Sequence, residues 1–240
     1  MIFTPFAYRQ QVSAVTPSPL PSGIIMYYDA GNPASYPGTG TTITDLSGNG
    51  YTATMNASNG FSSSDGGYWT SNGVDNVSIT GGTLNQTLTN WTMWTSVYKT
   101  ANGFYDGIMF SRRAPGSANG IAFFDATGRF NLVANNGTEI TQPNGASNVL
   151  LNQWALVAAG VSSTSFFRQV YRAGTQYWET GSKSAGSSNF DFPIVLFEDK
   201  EPGQDRTMAG RIGVSIMWNR QLSQAEITQV NDFFRGRYGI

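Results

Sequence analysis

The sequence predicts an all-β sandwich or barrel closed by one short C-terminal helix. Three observations carry that expectation. The dipeptide Asn-Gly recurs at Asn49-Gly50, Asn59-Gly60, Asn72-Gly73, Asn102-Gly103, Asn119-Gly120, Asn136-Gly137 and Asn144-Gly145. It supplies adjacent residues tolerant of positive φ, as type I′ hairpin turns require. Between these turns the apolar residues alternate with a period of two, the mark of strands with one buried face. Only near the C-terminus does the spacing become helical.

Residues 1–23 stand apart as an extended Pro-rich arm, ahead of a single domain over 24–240. Thr16-Pro17-Ser18-Pro19-Leu20-Pro21 carries alternating prolines, which fix φ and favour polyproline conformation. Upstream, Ile2, Phe3, Phe6 and Tyr8 are apolar residues that a free tail does not need. They imply either an arm folded back on its own domain or one that docks on a neighbouring subunit. In Trp91–Tyr98, Trp91, Met93 and Val97 share a face. Trp154–Val161 is apolar on both faces and fits a central strand. Ser165–Arg172 follows a short turn and pairs with it as a hairpin. Over 211–218, Ile212, Val214, Ile216 and Trp218 are expected on one face, with Arg211, Gly213 and Ser215 on the other. Ser223 and Glu226 then form a capping box, with Leu222 and Ile227 at the staple positions. Ile227, Val230 and Phe234 recur at helical spacing. Arg235 and Arg237 suit the helix end, and Gly236 or Gly239 can stop it.

Composition excludes several function classes. The 240 residues include no Cys and no His, so disulfides, thiolate metal sites and the commonest general base are absent. Charged residues make up 12%, against roughly 25% in ordinary domains. Net charge is −1 with no Lys/Arg cluster, which argues against nucleic-acid binding by phosphate neutralisation. A weakly charged surface suits packing in an assembly, as a homo-oligomer or in many copies. The N-terminal residues lack the basic and apolar regions of a signal peptide. No stretch reaches the ~18–20 apolar residues of a membrane span. The expectation is a protein made in the cytoplasm without export or membrane insertion.

Several segments also carry a family resemblance. They are Tyr28-Asp29-Ala30-Gly31-Asn32-Pro33, Asp45-Leu46-Ser47-Gly48-Asn49-Gly50, Gly66-Gly67-Tyr68-Trp69 leading to Gly73–Ile79, and Trp154–Ala158. The closing pair is Arg211–Arg220 followed by Leu222-Ser223-Gln224-Ala225-Glu226-Ile227. In this order they resemble the laminin-G-like, concanavalin A-like domains of tailed-bacteriophage structural proteins. The resemblance implies a two-sheet antiparallel jelly-roll sandwich over 24–240. It further implies a non-enzymatic virion protein, a capsid decoration or fibre-type component docked on other virion proteins through its arm. The alternative it leaves open is a lectin-like module recognising a host surface glycan.

The candidate chemistry is sparse. Glycoside hydrolases of this fold set carboxylates at E-x-D-x-E on one strand, because hydrolysis needs an acid and a nucleophile facing one bond. Here Glu198-Asp199-Lys200-Glu201 has other spacing, precedes Pro202-Gly203 and reads as a charged surface turn. Calcium needs a cage of oxygen ligands. Asp45, Asp75 and Asn76 stand where relatives can place them, yet no D-x-[DN]-x-[DN]-G loop is present and a structural role in turns is favoured. No cofactor is expected. For glycan contact the candidates are Tyr68, Trp69, Tyr105 and Trp178, as aromatic platforms. Arg112-Arg113, beside Pro115-Gly116, reads as a solvated turn.

Overall fold

Short apolar alternations punctuated by Gly and Asn yield strands. The computed structural model describes residues 20–74, 77–101, 103, 106–111, 119–123, 129–135, 137–141, 148–199 and 206–240. In chain order the strands are β1 (Ile24–Asp29), β2 (Thr42–Ile43), β3 (Ala53–Met55), β4 (Gly60–Ser62), β5 (Tyr68–Asn72), β6 (Ile79–Thr83), β7 (Thr87–Leu88), β8 (Trp91–Lys99) and β9 (Asp106–Ser111). They continue as β10 (Asn119–Phe123), β11 (Phe130–Ala134), β12 (Thr138–Thr141), β13 (Trp154–Val161), β14 (Ser165–Arg172), β15 (Thr175–Ser182), β16 (Ser188–Asn189), β17 (Pro193–Leu196) and β18 (Ala209–Trp218). The first sheet runs β15-β14-β13-β8-β18-β5-β4, with β1 also on β18; the second runs β12-β11-β10-β9-β17-β6-β3-β2. They form an antiparallel sandwich with a single C-terminal helix, as the sequence predicts.

The core lies between the sheets. Trp69, Trp91, Met93, Val97 and Ile212 of the first sheet meet Ile79, Ile108, Ile121, Phe130 and Leu132 of the second. Burying each large apolar side chain contributes about 1.5–3 kcal/mol. Strand β13 is central, between β8 and β14. Ala155, Val157, Ala159 and Val161 face the inner core, while Trp154, Leu156 and Ala158 face outward under the helix. The hairpin with β14 forms in the register Val161↔Phe166.

Helix α1 (Gln224–Phe234) covers the outer face of the first sheet. The Ser223 hydroxyl accepts the Glu226 N–H at 3.3 Å. The Glu226 carboxylate accepts the Ser223 N–H at 2.9 Å, closing the capping box. Leu222 and Ile227 are buried as the staple, and Ile227, Val230 and Phe234 face the sheet. A 3-10 turn over Arg235–Tyr238 follows, and Gly239 ends it with φ 67°. Inside the interface the Trp94 indole N–H donates to Asn231 Oδ1 at 2.9 Å. Asn231 donates to Gln169 Oε1 at 2.9 Å, and Gln169 to the Leu156 carbonyl at 2.8 Å. A buried polar chain satisfied at each link fixes helix against sheet.

One expected face is corrected. Val214, Ile216 and Trp218 pack under α1, but Ile212 lies in the inner core. Ile212 pairs with Val97 and Ser215 with Thr95, so Gly213 and Val214 both oppose Ser96. This bulge inserts one residue and reverses the alternation beyond it. Side chains satisfy what the ladder loses: Ser96 Oγ accepts the Val214 N–H at 2.9 Å, and Thr95 Oγ1 donates to the Val214 carbonyl at 2.7 Å. Arg211 is thereby placed on the helix side, next to Tyr68 and Tyr98.

The sandwich holds the chain from Leu20 onward. Leu20 is buried in the layer under α1. The Pro21 carbonyl accepts the Trp218 indole N–H at 3.0 Å, and the Ser22 carbonyl accepts Arg220 Nε at 2.9 Å.

Candidate functional site

Trp178 sits on edge strand β15, opposite Gln169. It is half-buried, and its indole stacks on Phe167 at 4.5 Å with an interplanar angle of 11°. It lines a groove of about 380 Å³ between β15 and the segment entering α1. Phe166, Phe167 and Leu222 are its apolar residues; Ser165, Thr180, Gln221 and Ser223 supply neutral polar groups. No ionisable side chain lines it.

The second wall is positioned by the capping box. The Leu222 N–H donates to Thr92 Oγ1 at 3.0 Å, and the Thr92 hydroxyl donates to the Arg220 carbonyl at 2.9 Å. Arg220 holds the Glu226 carboxylate with both Nη groups. That hydrogen bond, above all, lowers the Glu226 carboxyl to about 2. Gln221 is steadied by the Gly160 carbonyl at 3.3 Å and the Ser165 hydroxyl at 3.4 Å. Its amide retains one N–H for a ligand, alongside the Thr180 hydroxyl. A flat indole beside neutral donors and acceptors matches the alternating apolar and hydroxyl faces of a sugar ring.

A second groove, of about 320 Å³, is lined by Pro33, Tyr36, Pro37, Phe61 and glycines. Tyr36 and Phe61 meet edge to face at 5.0 Å, and the Tyr36 hydroxyl donates to the Gly40 carbonyl at 2.8 Å. Here the glycines serve packing: a Cβ on Gly31 would lie 1.8 Å from the Gly66 carbonyl oxygen. Ser63 alone offers a side-chain hydroxyl besides Tyr36.

The sequence candidates separate clearly. Trp178 lines a groove. Trp69 is corrected: it is fully buried, because β5 alternation points it at the inner core, where it meets Tyr36 at 6.0 Å. Tyr68 points outward but is 8% exposed, covered by Arg211 and Trp154. Tyr105, Asp75, Asn76, Arg112, Arg113 and the arm residues Ile2, Phe3, Phe6 and Tyr8 lie outside the described residues. Asp45 organises its turn, accepting the N–H groups of Tyr27, Ser47 and Tyr51 at 2.9, 3.0 and 3.1 Å. The surface-turn expectation for Glu198 and Asp199 is corrected, since both are buried. Glu198 bridges to Thr207 as the chain returns, and Asp199 pairs with Arg206 at 3.1 Å. Lys200 and Glu201 lie outside the described residues. No group of three or more metal-ligating Asp or Glu side chains occurs among the described residues. No described helix is long and apolar enough to cross a membrane.

Sequence reasoning missed Thr180, Gln221 and Arg211. Gln221 occupies the unassigned position between Arg220 and Leu222 of the closing motif. Arg211 was concealed by the bulge.

No family model matches the chain, and no curated protein matches it in sequence. Solved structures do match in fold. Domain 4 of AbnA, a GH43 extracellular arabinanase from Geobacillus stearothermophilus in complex with arabinotriose, aligns with TM-score 0.61 at 15% identity, over 87% of this chain and 98% of that one. The botulinum neurotoxin type G receptor binding domain aligns with TM-score 0.58 at 16% identity, over 90% of this chain and 52% of its own. Trypanosoma rangeli sialidase in complex with sialic acid aligns with TM-score 0.62 at 12% identity, over 89% of this chain and 34% of the enzyme. The chain therefore spans nearly all of the arabinanase domain, about half of the neurotoxin domain and a third of the sialidase. What these likenesses establish is the β-sandwich fold that the chain shares with such domains.

Proposed function

We propose that this chain is a non-catalytic carbohydrate-binding module whose ligand lies in the Trp178 groove. The observation that carries the reading is a half-exposed indole, held flat on Phe167, in a groove with neutral hydroxyl and amide side chains and no charge. Hydrolysis of a glycosidic bond needs two carboxyls about 5–10 Å apart across the bond, and this groove has none. Elsewhere Asp29, Asp106, Glu179, Asp199, Glu226 and Asp232 are engaged in ion pairs. The fold shared with an arabinanase domain seen with arabinotriose is consistent with this reading. Carriage of the module on a virion, through Ile2, Phe3, Phe6 and Tyr8, remains an expectation from sequence resemblance alone.

The test is a glycan array probed with multimerised protein, with and without calcium, since multimers reveal a weak single site. Saturable binding to a neutral glycan is expected. Trp178→Ala should weaken it by about thirtyfold or more, the scale of an aromatic hot spot of ~2 kcal/mol. Binding that survives Trp178→Ala would remove the site, and silence across the array would remove the function.

A further inference from the structure

Arg211 stands apart from the groove, on the outer face of the first sheet. Its register partners are Thr70 on β5 and Tyr98 on β8. The guanidinium therefore lies between the rings of two flanking strands, 4.7 Å from the Tyr68 centroid and 4.3 Å from that of Tyr98. Trp154 meets both rings edge to face, at 5.8 and 5.5 Å. Ring contacts of this kind hold a guanidinium but leave its N–H edge unsatisfied. The Arg211 backbone is paired in the sheet, but its guanidinium makes no hydrogen bond to any described residue. Its Nη1 forms an ion pair with Asp65 Oδ2 at 3.6 Å, longer than a hydrogen bond. That same oxygen takes the Trp154 indole N–H at 3.4 Å. The Arg211 side chain is held by these contacts and is 30% exposed. Asp65 sits at the rim in a left-handed conformation, φ 47°.

We propose that Arg211 anchors a second ligand site, which takes the carboxylate of an acidic sugar residue, a uronate or a sialate. The planar fork matches a carboxylate bidentately. The sugar part of the assignment rests on the carbohydrate-binding reading above, while the carboxylate is argued from the fork itself. Asp65 sets the selectivity. Its charge opposes an acid, so it tunes affinity downward without filling the fork.

The test follows the Arg211 Nε–H and Trp154 indole resonances of the full chain by NMR. The probes are trigalacturonate and its methyl ester, 3′-sialyllactose and lactose, and acetate. At least one acidic sugar should shift both resonances, its uncharged counterpart should not, and salt should weaken the effect. Arg211→Gln should weaken binding about tenfold or more, the scale of a charge-assisted hydrogen bond. Arg211→Lys keeps the charge, loses the fork and should weaken binding too. Asp65→Asn should strengthen it by about two- to fivefold, as for an exposed charge pair. Thermal melts of each variant check that the domain remains folded. No shift with any acid, full binding by Arg211→Lys, or weaker binding by Asp65→Asn would overturn the site. Equal affinity for acetate would overturn its assignment to a sugar. Trp178→Ala should leave these shifts intact, so failure of the groove and failure of this site are separable.

Discussion

Replacing Gly213 by Ala tests the bulge that sets the face of β18. A Cβ there would lie 2.2 Å from Tyr238 Oη, 2.8 Å from Tyr238 Cζ and 2.9 Å from Ser96 Oγ. None of these atoms can yield easily. Tyr238 is buried against Trp154, ring centroids 4.4 Å apart, and Ser96 Oγ holds the bulge N–H of Val214. Overpacking of this kind costs about 1–3 kcal/mol. Against it stands a gain of about 0.4–1 kcal/mol from a less flexible unfolded chain. The net loss should be about 1–2 kcal/mol, read by calorimetry as a melting point lower by about 2–8 °C for a domain of this size. Adding Tyr238→Phe removes the nearest atom but leaves Cζ, so part of the loss should return. The two changes should couple by about 0.5 kcal/mol or more. An unchanged or higher melting point for Gly213→Ala, or strict additivity with Tyr238→Phe, would refute the packing argument.

Three further outcomes are expected. Ser223→Ala removes the N-cap acceptor and should cost about 1 kcal/mol in urea titration. The Glu226 carboxyl, lowered to about 2 chiefly by the Arg220 hydrogen bond, lies below its ordinary 4.5. Its ionised form therefore stabilises the fold above that ordinary value, and the contribution fades as pH falls from about 4.5 to about 2; the slope of stability over that window should shrink in Glu226→Gln. Arg237→Ala leaves Asp29, 1% exposed and now paired at 2.6 Å, without its cation. It should cost about 3 kcal/mol by thermal or chemical melt, the scale for breaking a buried pair.

Much of the fold was legible because it depends on local chemistry. The hairpin of Trp154–Val161 with Ser165–Arg172 and the capping box at Ser223 and Glu226 are short-range patterns whose geometry follows from a few adjacent residues. The Asn-Gly signal is corrected in part: Gly50 and Gly73 take positive φ as turns require, but Gly60 opens β4 and Asn119-Gly120 lies within β10, where strand pairing overrides the local turn preference. The misreadings share one cause. Ile212 and Arg211 were assigned faces by strict alternation, and an inserted residue at Gly213 reversed the count. Glu198 and Asp199 look like a surface turn in one dimension, yet the returning segment at Arg206 and Thr207 buries them. Trp69 and Trp178 are equally aromatic on paper; only strand position separates a core residue from one on an edge.

The sequence by itself determined the β class, the single helix with its cap, and the exclusion of Cys and His chemistry, because composition and nearest neighbours decide these. Only the tertiary structure decided which aromatics meet solvent, that Gln221 and Thr180 join Trp178 in one groove, and that Arg211 lies between Tyr68 and Tyr98. Those arrangements depend on strand order, register and a single bulge. They bring together residues such as Asp65 and Arg211 that are distant along the chain, and no local pattern encodes that proximity.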